Sequence, residues 1–168
     1  MKFLTDRLIL RILSELDAEE IFSIRRNAMI NQFLERNPPK NNFEALDFIL
    51  EIKKKSSANE IVFFGISIQE YPKLVGTICL WNFSADRKTA ELGYELLPEF
   101  HGKGIMSEAV DFLLDHGFNH LNLNKIEAFT KKNNLNSIKL LEKSKFILNP
   151  TRKDIKFPEN LIFERTPS

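Results

Sequence analysis

The sequence predicts an α+β domain in which helices flank a mixed, largely antiparallel sheet. Two observations support this class. Short apolar or alternating segments, separated by turn residues, recur along the whole chain. Amphipathic stretches with helical spacing lie between them, so helices and strands are interspersed. A length of 168 residues is usual for one domain, and we expect residues 1–168 to form one.

The first third of the chain is predicted to contain one strand and three helical segments. The strand covers residues 7–11. Ser14 is expected to cap the first helix, with Asp17 three residues later in the capping-box position. The second helical segment should end at prolines 38–39, and a third helix should start at Asn42.

The rest of the chain is predicted to alternate strands with two further helices. A turn at residues 71–73 should precede the second of these strands, and Gly117 should end the first of these helices. The predicted strands cover 61–68, 74–81, 89–97, 125–130, a short segment near Phe146 and 161–163, and the helices start at Gly104 or Ile105 and at Asn134.

The most informative segment runs from Glu91 to Ala109, where an apolar strand leads into a two-glycine turn and a helix. Gly102 and Gly104 allow a tight turn and a close approach to a ligand. The first N–H groups of the helix lack partners, so they can bind a phosphate. The spacing of the nucleotide P-loop is absent, and the dinucleotide pattern Gly-x-Gly-x-x-Gly fails because position 107 is serine. An ordinary strand-turn-helix remains the alternative on this segment alone.

Three segments resemble the GNAT acetyltransferases, in the branch that contains the ribosomal-protein N-terminal (RimJ/RimL-like) enzymes. Residues 101–106, His-Gly-Lys-Gly-Ile-Met, resemble the family's acyl-CoA loop, Gln/Arg-x-x-Gly-x-Gly/Ala. Residues 5–11 resemble its first strand, Thr-x-Arg-Leu-x-Leu-Arg, and residues 134–146 its Asn-x-x-Ser…Leu-Leu-Glu-Lys-x-Gly-Phe segment. The family's glycine before Phe146 is Lys145 here, where a left-handed lysine would cost roughly 1 kcal/mol. We therefore expect a modified helix end.

The resemblance implies the GNAT fold and transfer of an acetyl group from acetyl-CoA to an amine, such as the N-terminal α-amine of a ribosomal protein. The alternatives are a small-molecule acetyltransferase acting on a polyamine or an aminoglycoside, and an acyl-CoA-binding module without catalysis. The resemblance assigns the pyrophosphate to the loop and its backbone N–H groups, and the pantetheine arm to the strand edge and an asparagine. These cofactor-binding residues are Leu96, Leu97, His101, Gly102, Lys103, Gly104, Ile105, Met106, Ser107 and Asn134.

Two residues are candidate catalytic groups. Acetyl transfer needs a base for the amine and a proton for the departing thiolate. Glu91 begins the strand that leads to the loop and is the candidate base, with Glu95 on the same strand face as its substitute. Ser137 is the candidate acid, because the resemblance places this serine near the cofactor sulfur. Glu91 could equally be a solvated carboxylate and Ser137 a helix-capping residue. Tyr94 is expected in the core or in the substrate wall, with proton donation as the lesser role.

Composition limits the class of partner. The 24 basic and 23 acidic residues nearly cancel, so neither nucleic acid nor a membrane surface is expected as a partner. No apolar segment is long enough for a membrane span, and no signal peptide is recognisable. Cys79 is the single cysteine and is expected in the core, which favours a cytoplasmic location. The three histidines lack metal-ligand spacing, so no metal is expected, while a homodimer is compatible with the sequence.

Overall fold

A computed structural model describes residues 1–168 and contains one eight-stranded sheet of order β1-β2-β3-β4-β5-β6-β8-β7. Only β5 and β6 pair in parallel, while all other neighbours are antiparallel, so the predicted mixed sheet is confirmed. The strands are β1 (Lys2–Leu4), β2 (Leu8–Arg11), β3 (Val62–Ile68), β4 (Tyr71–Trp81), β5 (Thr89–Leu96), β6 (Lys125–Lys131), β7 (Ile147–Leu148) and β8 (Asn160–Arg165).

Helices cover both faces of this sheet. They are α1 (Ala18–Arg25), α2 (Ala28–Asn31), α3 (Asn42–Ser57), α4 (Ile105–Asp115) and α5 (Leu135–Lys143). Helices α4 and α5 pack on one face through the larger apolar cluster, and α1 and α3 pack on the other through a smaller one. None of them combines the length and the apolar character that a membrane crossing requires.

The parallel pair β5–β6 separates part-way along its length. Only three residue pairs are in register, of which the last is Glu91 with Glu127. Beyond this point β5 continues to Leu96 and β6 continues to Lys131, but the two strands no longer pair with each other. The sheet therefore contains a split whose two edges carry backbone groups that no neighbouring strand uses. The loop before α4 and the start of α5 both follow directly from these diverging strand ends.

The capping of the first helices follows the sequence. Ser14 and Asp17 form the predicted capping box, which opens a short 3₁₀ turn before α1, and α3 begins at Asn42 as expected. The Asp17 carboxylate also accepts two hydrogen bonds from Arg11, at 2.8 and 2.7 Å. This bidentate contact ties β2 to the helices on one face of the sheet.

Three local predictions were wrong, and one strand was not predicted. Residues 71–73 do not form a turn: β4 begins at Tyr71, and pairing of Tyr71 with Ile68 places the turn at residues 69–70. Helix α4 does not stop at Gly117 but continues as a π-helical turn, His116–His120, in which Gly117 packs closely against Ile126. Helix α2 ends at Asn31, well before prolines 38–39, and β1 was missed.

The end of α5 also differs from expectation. Lys145 keeps the left-handed conformation that the family's glycine would adopt, with φ 63°. Its N–H donates to the carbonyl of Glu142, and the N–H of Phe146 donates to that of Leu141 at 2.9 Å. The expected modified helix end is therefore wrong, because these closing hydrogen bonds and burial of Phe146 outweigh the strain at a lysine.

Candidate active site

The loop between β5 and α4 presents an unbroken run of free backbone donors. Gly102 and Gly104 both have positive φ, 73° and 74°, which side chains rarely adopt. A methyl group at Gly102 would point into open space, so the backbone there is accessible to a ligand. The N–H groups of residues 102–107 donate to no other residue of the chain. This loop has the donor set and the room that a pyrophosphate requires.

An arginine from the N-terminal segment fixes this loop. Arg7 donates from Nη1 to the carbonyl of Lys103 and from Nε to Glu108 in the first turn of α4, both at 2.8 Å. Glu108 also accepts hydrogen bonds from the Arg7 backbone and from Thr5, at 2.8 and 2.5 Å. The family resemblance included the Thr-x-Arg motif of residues 5–7 but assigned it no role. The structure shows that it clamps the glycine loop to the sheet edge.

Side chains beside the loop are arranged differently from the predicted contacts. His101 Nε2 donates to the carbonyl of Leu96 at 2.9 Å, since a carbonyl can only accept, so this nitrogen does not face a phosphate. The Nζ of Lys103 lies 5.6 Å from the Phe100 ring centre, and Ile105 and Met106 are buried in the core. The loop therefore presents backbone N–H groups, rather than side chains, to a phosphate.

The edge of β5 supplies further free groups. The N–H of Leu97 bonds to Val75 of β4 at 2.9 Å, so by strand alternation the backbone groups of Tyr94 and Leu96 point into the split. Of these, the Leu96 carbonyl is occupied by His101. The Leu97 side chain packs with the α1–α3 cluster, on the opposite face from that of Leu96. Leu96 thus borders the split directly, whereas Leu97 faces the other side of the sheet.

Tyr94 and Ser137 meet across the split on the α4–α5 face. The Tyr94 hydroxyl and Ser137 Oγ are 2.5 Å apart, and either can donate. Burial raises the pKa of Tyr94 to about 12, although the bond to Ser137 lowers it, so the phenol keeps its proton at neutral pH. Asn134 caps α5 by accepting from the Ser137 N–H at 3.3 Å. The hydroxyl of Ser137 is therefore free of the capping role and is paired with a phenol instead.

Glu91 lies on the opposite face, where β5 and β6 begin to separate. Its carboxylate accepts one hydrogen bond, from Asn82 Nδ2 at 3.3 Å, and has no ion-pair partner. Burial raises its pKa to about 7, the Asn82 bond lowers it, and the nearby Glu127 and Asp154 carboxylates raise it further. A carboxyl group with such a pKa can take a proton from an ammonium near neutral pH.

Glu95 shares this face but is held in an ion-pair cluster. Its Oε2 lies 2.7 Å from Arg36 Nη1, and its Oε1 lies 3.9 Å from Arg25 Nη1. Glu35, which directly precedes Arg36, contacts Lys131 of β6 at 2.7 Å. The segment that carries Glu35 and Arg36 therefore bridges the two diverging strands. Because Glu95 is paired with two arginines, we assign it a structural role rather than that of a second candidate base.

Gly93 forms the floor between the two glutamates. A methyl group at this position would lie 3.0 Å from Cys79 Sγ and 3.5 Å from Trp81 Nε1. Burial raises the pKa of the Cys79 thiol to about 12, so it is a neutral wall. The Cys79 and Trp81 side chains therefore pack closely over the strand between Glu91 and Glu95. The split begins beside Glu91, and the Tyr94–Ser137 pair lies on the other face of the sheet.

Comparison with known proteins agrees with this geometry. A sequence model of the acetyltransferase (GNAT) domain matches residues 7–147. The chain belongs to the GNAT acetyltransferase family. The predicted GNAT fold and N-acetyltransferase class are thereby confirmed, and the matched region contains the glycine loop, the split and the Tyr94–Ser137 pair.

Relatives and solved structures of this family extend over most of the chain. "Uncharacterized N-acetyltransferase p20" of Bacillus licheniformis is 34% identical over 142 residues, 84% of this chain and 80% of that protein. The spermidine N(1)-acetyltransferase of Vibrio cholerae is 24% identical over 144 residues, 86% and 81% of the two chains. The structure of RimL, a ribosomal L7/L12 alpha-N-protein acetyltransferase, in complex with coenzyme A superposes with TM-score 0.86 at 18% identity, covering 98% of this chain and 96% of that one.

Proposed function

We propose that this GNAT chain, acting as one domain over residues 1–168, transfers the acetyl group of acetyl-CoA to the α-amine of a polypeptide. The observation that carries the proposal is the split between β5 and β6, which has free loop donors at one end, a phenol–hydroxyl pair on one face and an unpaired carboxylate on the other. A cytoplasmic location is part of the same proposal and agrees with the single, protonated cysteine.

The loop of residues 101–107 fits the pyrophosphate of acetyl-CoA. Its free N–H groups, the positive end of α4 and the open space at Gly102 would hold two phosphates without a required cationic side chain. The free backbone groups of Tyr94 and the N–H of Leu96 would pair with the amides of the pantetheine arm, as an added strand would. When bound, acetyl-CoA supplies a thioester whose carbonyl carbon is open to an amine and whose sulfur can leave as a thiolate.

Two proton transfers of the reaction are carried out by residues on opposite faces of the sheet. Glu91 takes a proton from the acceptor ammonium, so that the neutral nitrogen can form the new C–N bond as the C–S bond breaks. The nitrogen then releases its second proton to water as the amide forms. On the other face, the Tyr94–Ser137 pair donates a proton to the departing thiolate. The phenol carries its proton at neutral pH, so it can donate a hydrogen bond to the thiolate as the charge forms, although its raised pKa makes it a weaker acid than an exposed tyrosine. The sequence had favoured Ser137 alone, and we now assign the proton to the pair.

The acidity of Glu91 favours an α-amine as acceptor. An α-ammonium has a pKa near ~8, whereas lysine and polyamine ammonium groups lie nearer ~10. Transfer to a carboxylate whose pKa is about 7 is thus uphill by about one unit for the first and about three for the second. The structural similarity to RimL, a ribosomal L7/L12 alpha-N-protein acetyltransferase, makes ribosomal-protein N-terminal peptides the first acceptors to test.

Binding and turnover are measured separately to test this proposal. Acetyl-CoA should raise the melting temperature, whereas ATP and NAD at equal concentration should not. Thiol release is then followed with N-terminal peptides of ribosomal proteins, spermidine and an aminoglycoside. Stabilisation by NAD but not by acetyl-CoA would contradict the cofactor assignment. Acetyl-CoA binding without turnover of any amine would indicate a binding module instead of an enzyme.

A further inference from the structure

Arg7 joins the N-terminal segment to the glycine loop and to the helix that follows it. Its backbone N–H and its Nε donate to Glu108 in the first turn of α4, and its Nη1 donates to the carbonyl of Lys103, each at 2.8 Å. The guanidinium also lies against Gly104, since Nη2 is 3.2 Å from the place that a Cβ there would occupy. Arg7 therefore contacts the loop at the peptide unit that joins Lys103 to Gly104.

The bond to Lys103 fixes the direction in which this peptide unit faces. In a planar trans peptide the C=O and the N–H point in opposite directions, and the chain contains no cis peptide bond. Because the Lys103 carbonyl points to Arg7, the N–H of Gly104 points away from Arg7 and is one of the free donors of the loop. Arg7 can thus present a donor to a phosphate without touching the phosphate itself.

The loop by itself would not hold this orientation. A flip of the peptide unit changes ψ of Lys103 and φ of Gly104 together, and glycine accepts φ of either sign. The observed φ of 74° at Gly104 is therefore one of two accessible states. In the flipped state the Lys103 carbonyl would take the place of the N–H and would repel a phosphate. A contact from outside the loop has to select one state, and Arg7 supplies it.

The base of this contact is fixed by the turn between β1 and β2. The N–H of Thr5 donates to the carbonyl of Leu8 at 3.0 Å, and the N–H of Leu8 donates to Thr5 Oγ1 at 3.1 Å. Gln69 donates to the carbonyls of Thr5 and Arg7, at 2.7 and 2.8 Å. Arg7 is therefore held at its backbone as well as at its side chain, which reduces the entropy lost in placing a half-exposed arginine.

Glu108 holds the guanidinium from the helix side. Its Oε1 accepts from Thr5 Oγ1 and from the Arg7 backbone, and its Oε2 accepts from Arg7 Nε. Burial raises the pKa of this carboxyl, but the hydrogen bonds from Thr5 and Arg7 and the charge of Arg7 outweigh burial, so the pKa lies below its ordinary value. The carboxylate is thus ionised at neutral pH, and it orients Arg7 in a pair that carries no net charge.

We propose that Arg7 is a positioning residue for the pyrophosphate of acetyl-CoA, acting through the peptide unit between Lys103 and Gly104, with Glu108 holding its guanidinium in place. The inference rests on the proposed function and gives the Thr-x-Arg segment the role that the family resemblance left open. Because the pair of Arg7 and Glu108 is neutral overall, its contribution comes from the orientation of the loop rather than from charge.

The test compares ligands with and without the pyrophosphate. Arg7→Met should weaken calorimetric binding of CoA by about five- to thirtyfold, because the bond from a half-exposed charged group no longer selects the competent loop. KM for acetyl-CoA should rise, while kcat and the KM of the acceptor peptide stay unchanged. S-acetylpantetheine, which lacks the pyrophosphate, should keep its kcat/KM. In the ligand-free protein, the amide resonance of Gly104 should shift or broaden in Arg7→Met.

Further variants separate orientation from charge. Glu108→Gln makes the loop region more positive, so a role through charge predicts tighter CoA binding. We expect binding weaker by about three- to tenfold, because the NH₂ of the amide cannot accept a bond that the carboxylate accepted. Arg7→Lys should recover only part of the loss, since lysine has no fork to reach both Lys103 and Glu108. Arg87→Met is the matched control: Arg87 Nη1 also donates to a main-chain carbonyl, that of Asn59 at 2.8 Å, but lies outside the loop, so CoA binding should not change.

Several results would overturn the inference. CoA binding by Arg7→Met within about twofold of wild type would do so, as would tighter binding by Glu108→Gln. An equal loss with acetyl-CoA and S-acetylpantetheine would mean general damage to the fold. If Arg7→Met does not fold, Arg7→Lys and Glu108→Gln decide the matter. If the wild type does not bind CoA, the cofactor assignment of the proposed function fails and the inference falls with it; if CoA binds but no amine turns over, only the catalytic proposal fails, and calorimetry still tests Arg7.

Discussion

Glu91 should lower the stability of the protein while supporting its activity. Its pKa rises from the ordinary 4.5 to about 7 because the carboxyl is largely buried and lies near Glu127 and Asp154. This difference corresponds to at most about 3 kcal/mol, and screening by water at a partly exposed group reduces it to about 1–2 kcal/mol. The folded-state pKa lies above the unfolded one, so the folded protein is not destabilised by Glu91 below about pH 4.5, where the carboxyl is neutral in both states. The loss of about 1–2 kcal/mol develops as the pH rises from there through about 7.

Glu91→Gln should remove that pH dependence. We expect the variant to be more stable than wild type by about 1–2 kcal/mol at pH 9 and nearly equal to it at pH 5, as measured by urea unfolding at both values. Its kcat/KM should fall by about 10²–10⁴ near pH 7, and the rise of the wild-type rate through about pH 7 should disappear, leaving only the titration of the acceptor amine.

Glu95→Gln is the control on the same strand face, because it should lower the unfolding free energy whereas Glu91→Gln should raise it. It removes the charged partner of the half-buried Arg36, so the unfolding free energy should fall by about 2–3 kcal/mol at both pH 5 and pH 9. The reasoning on Glu91 would be refuted if Glu91→Gln differed from wild type by the same amount at pH 5 and pH 9. Full activity of Glu91→Gln would equally exclude it as the base.

Four further substitutions test other parts of the molecule. Tyr94→Phe and Ser137→Ala should each lower kcat by roughly ten- to a thousandfold with little change in KM for acetyl-CoA, and an unchanged kcat in both, measured at saturating substrate, would remove the pair from proton transfer. Gly104→Val should abolish the rise in melting temperature with acetyl-CoA, because a branched side chain cannot easily adopt φ 74° and would approach Arg7; a shift like that of wild type would count against the phosphate loop. Lys145→Gly should increase the unfolding free energy by about 1 kcal/mol by relieving the left-handed lysine, and a decrease in urea unfolding would show that the lysine is not strained.

The sequence alone determined those features that depend on local geometry. The capping box at Ser14 and Asp17, the start of α3 and the glycine loop depend on residues close together in the chain, so their patterns are legible without the fold. The left-handed conformations of Gly102 and Gly104 belong to this group as well. Family resemblance added the acetyl-CoA reading, because it matched three such local motifs in order.

Tertiary structure decided which side chains meet. Tyr94 and Ser137 are 43 positions apart, and only the split between β5 and β6 brings their hydroxyl groups together. The two candidate bases, Glu91 and Glu95, have the same residue type and strand face, so no local pattern distinguishes them. Packing does: helix α1 and the segment after α2 bring arginines to Glu95, whereas Glu91 has only an amide and other carboxylates beside it. Proton affinity depends on such long-range neighbours and on burial, which is why the sequence could nominate a base but only the folded chain could separate it from its neighbour.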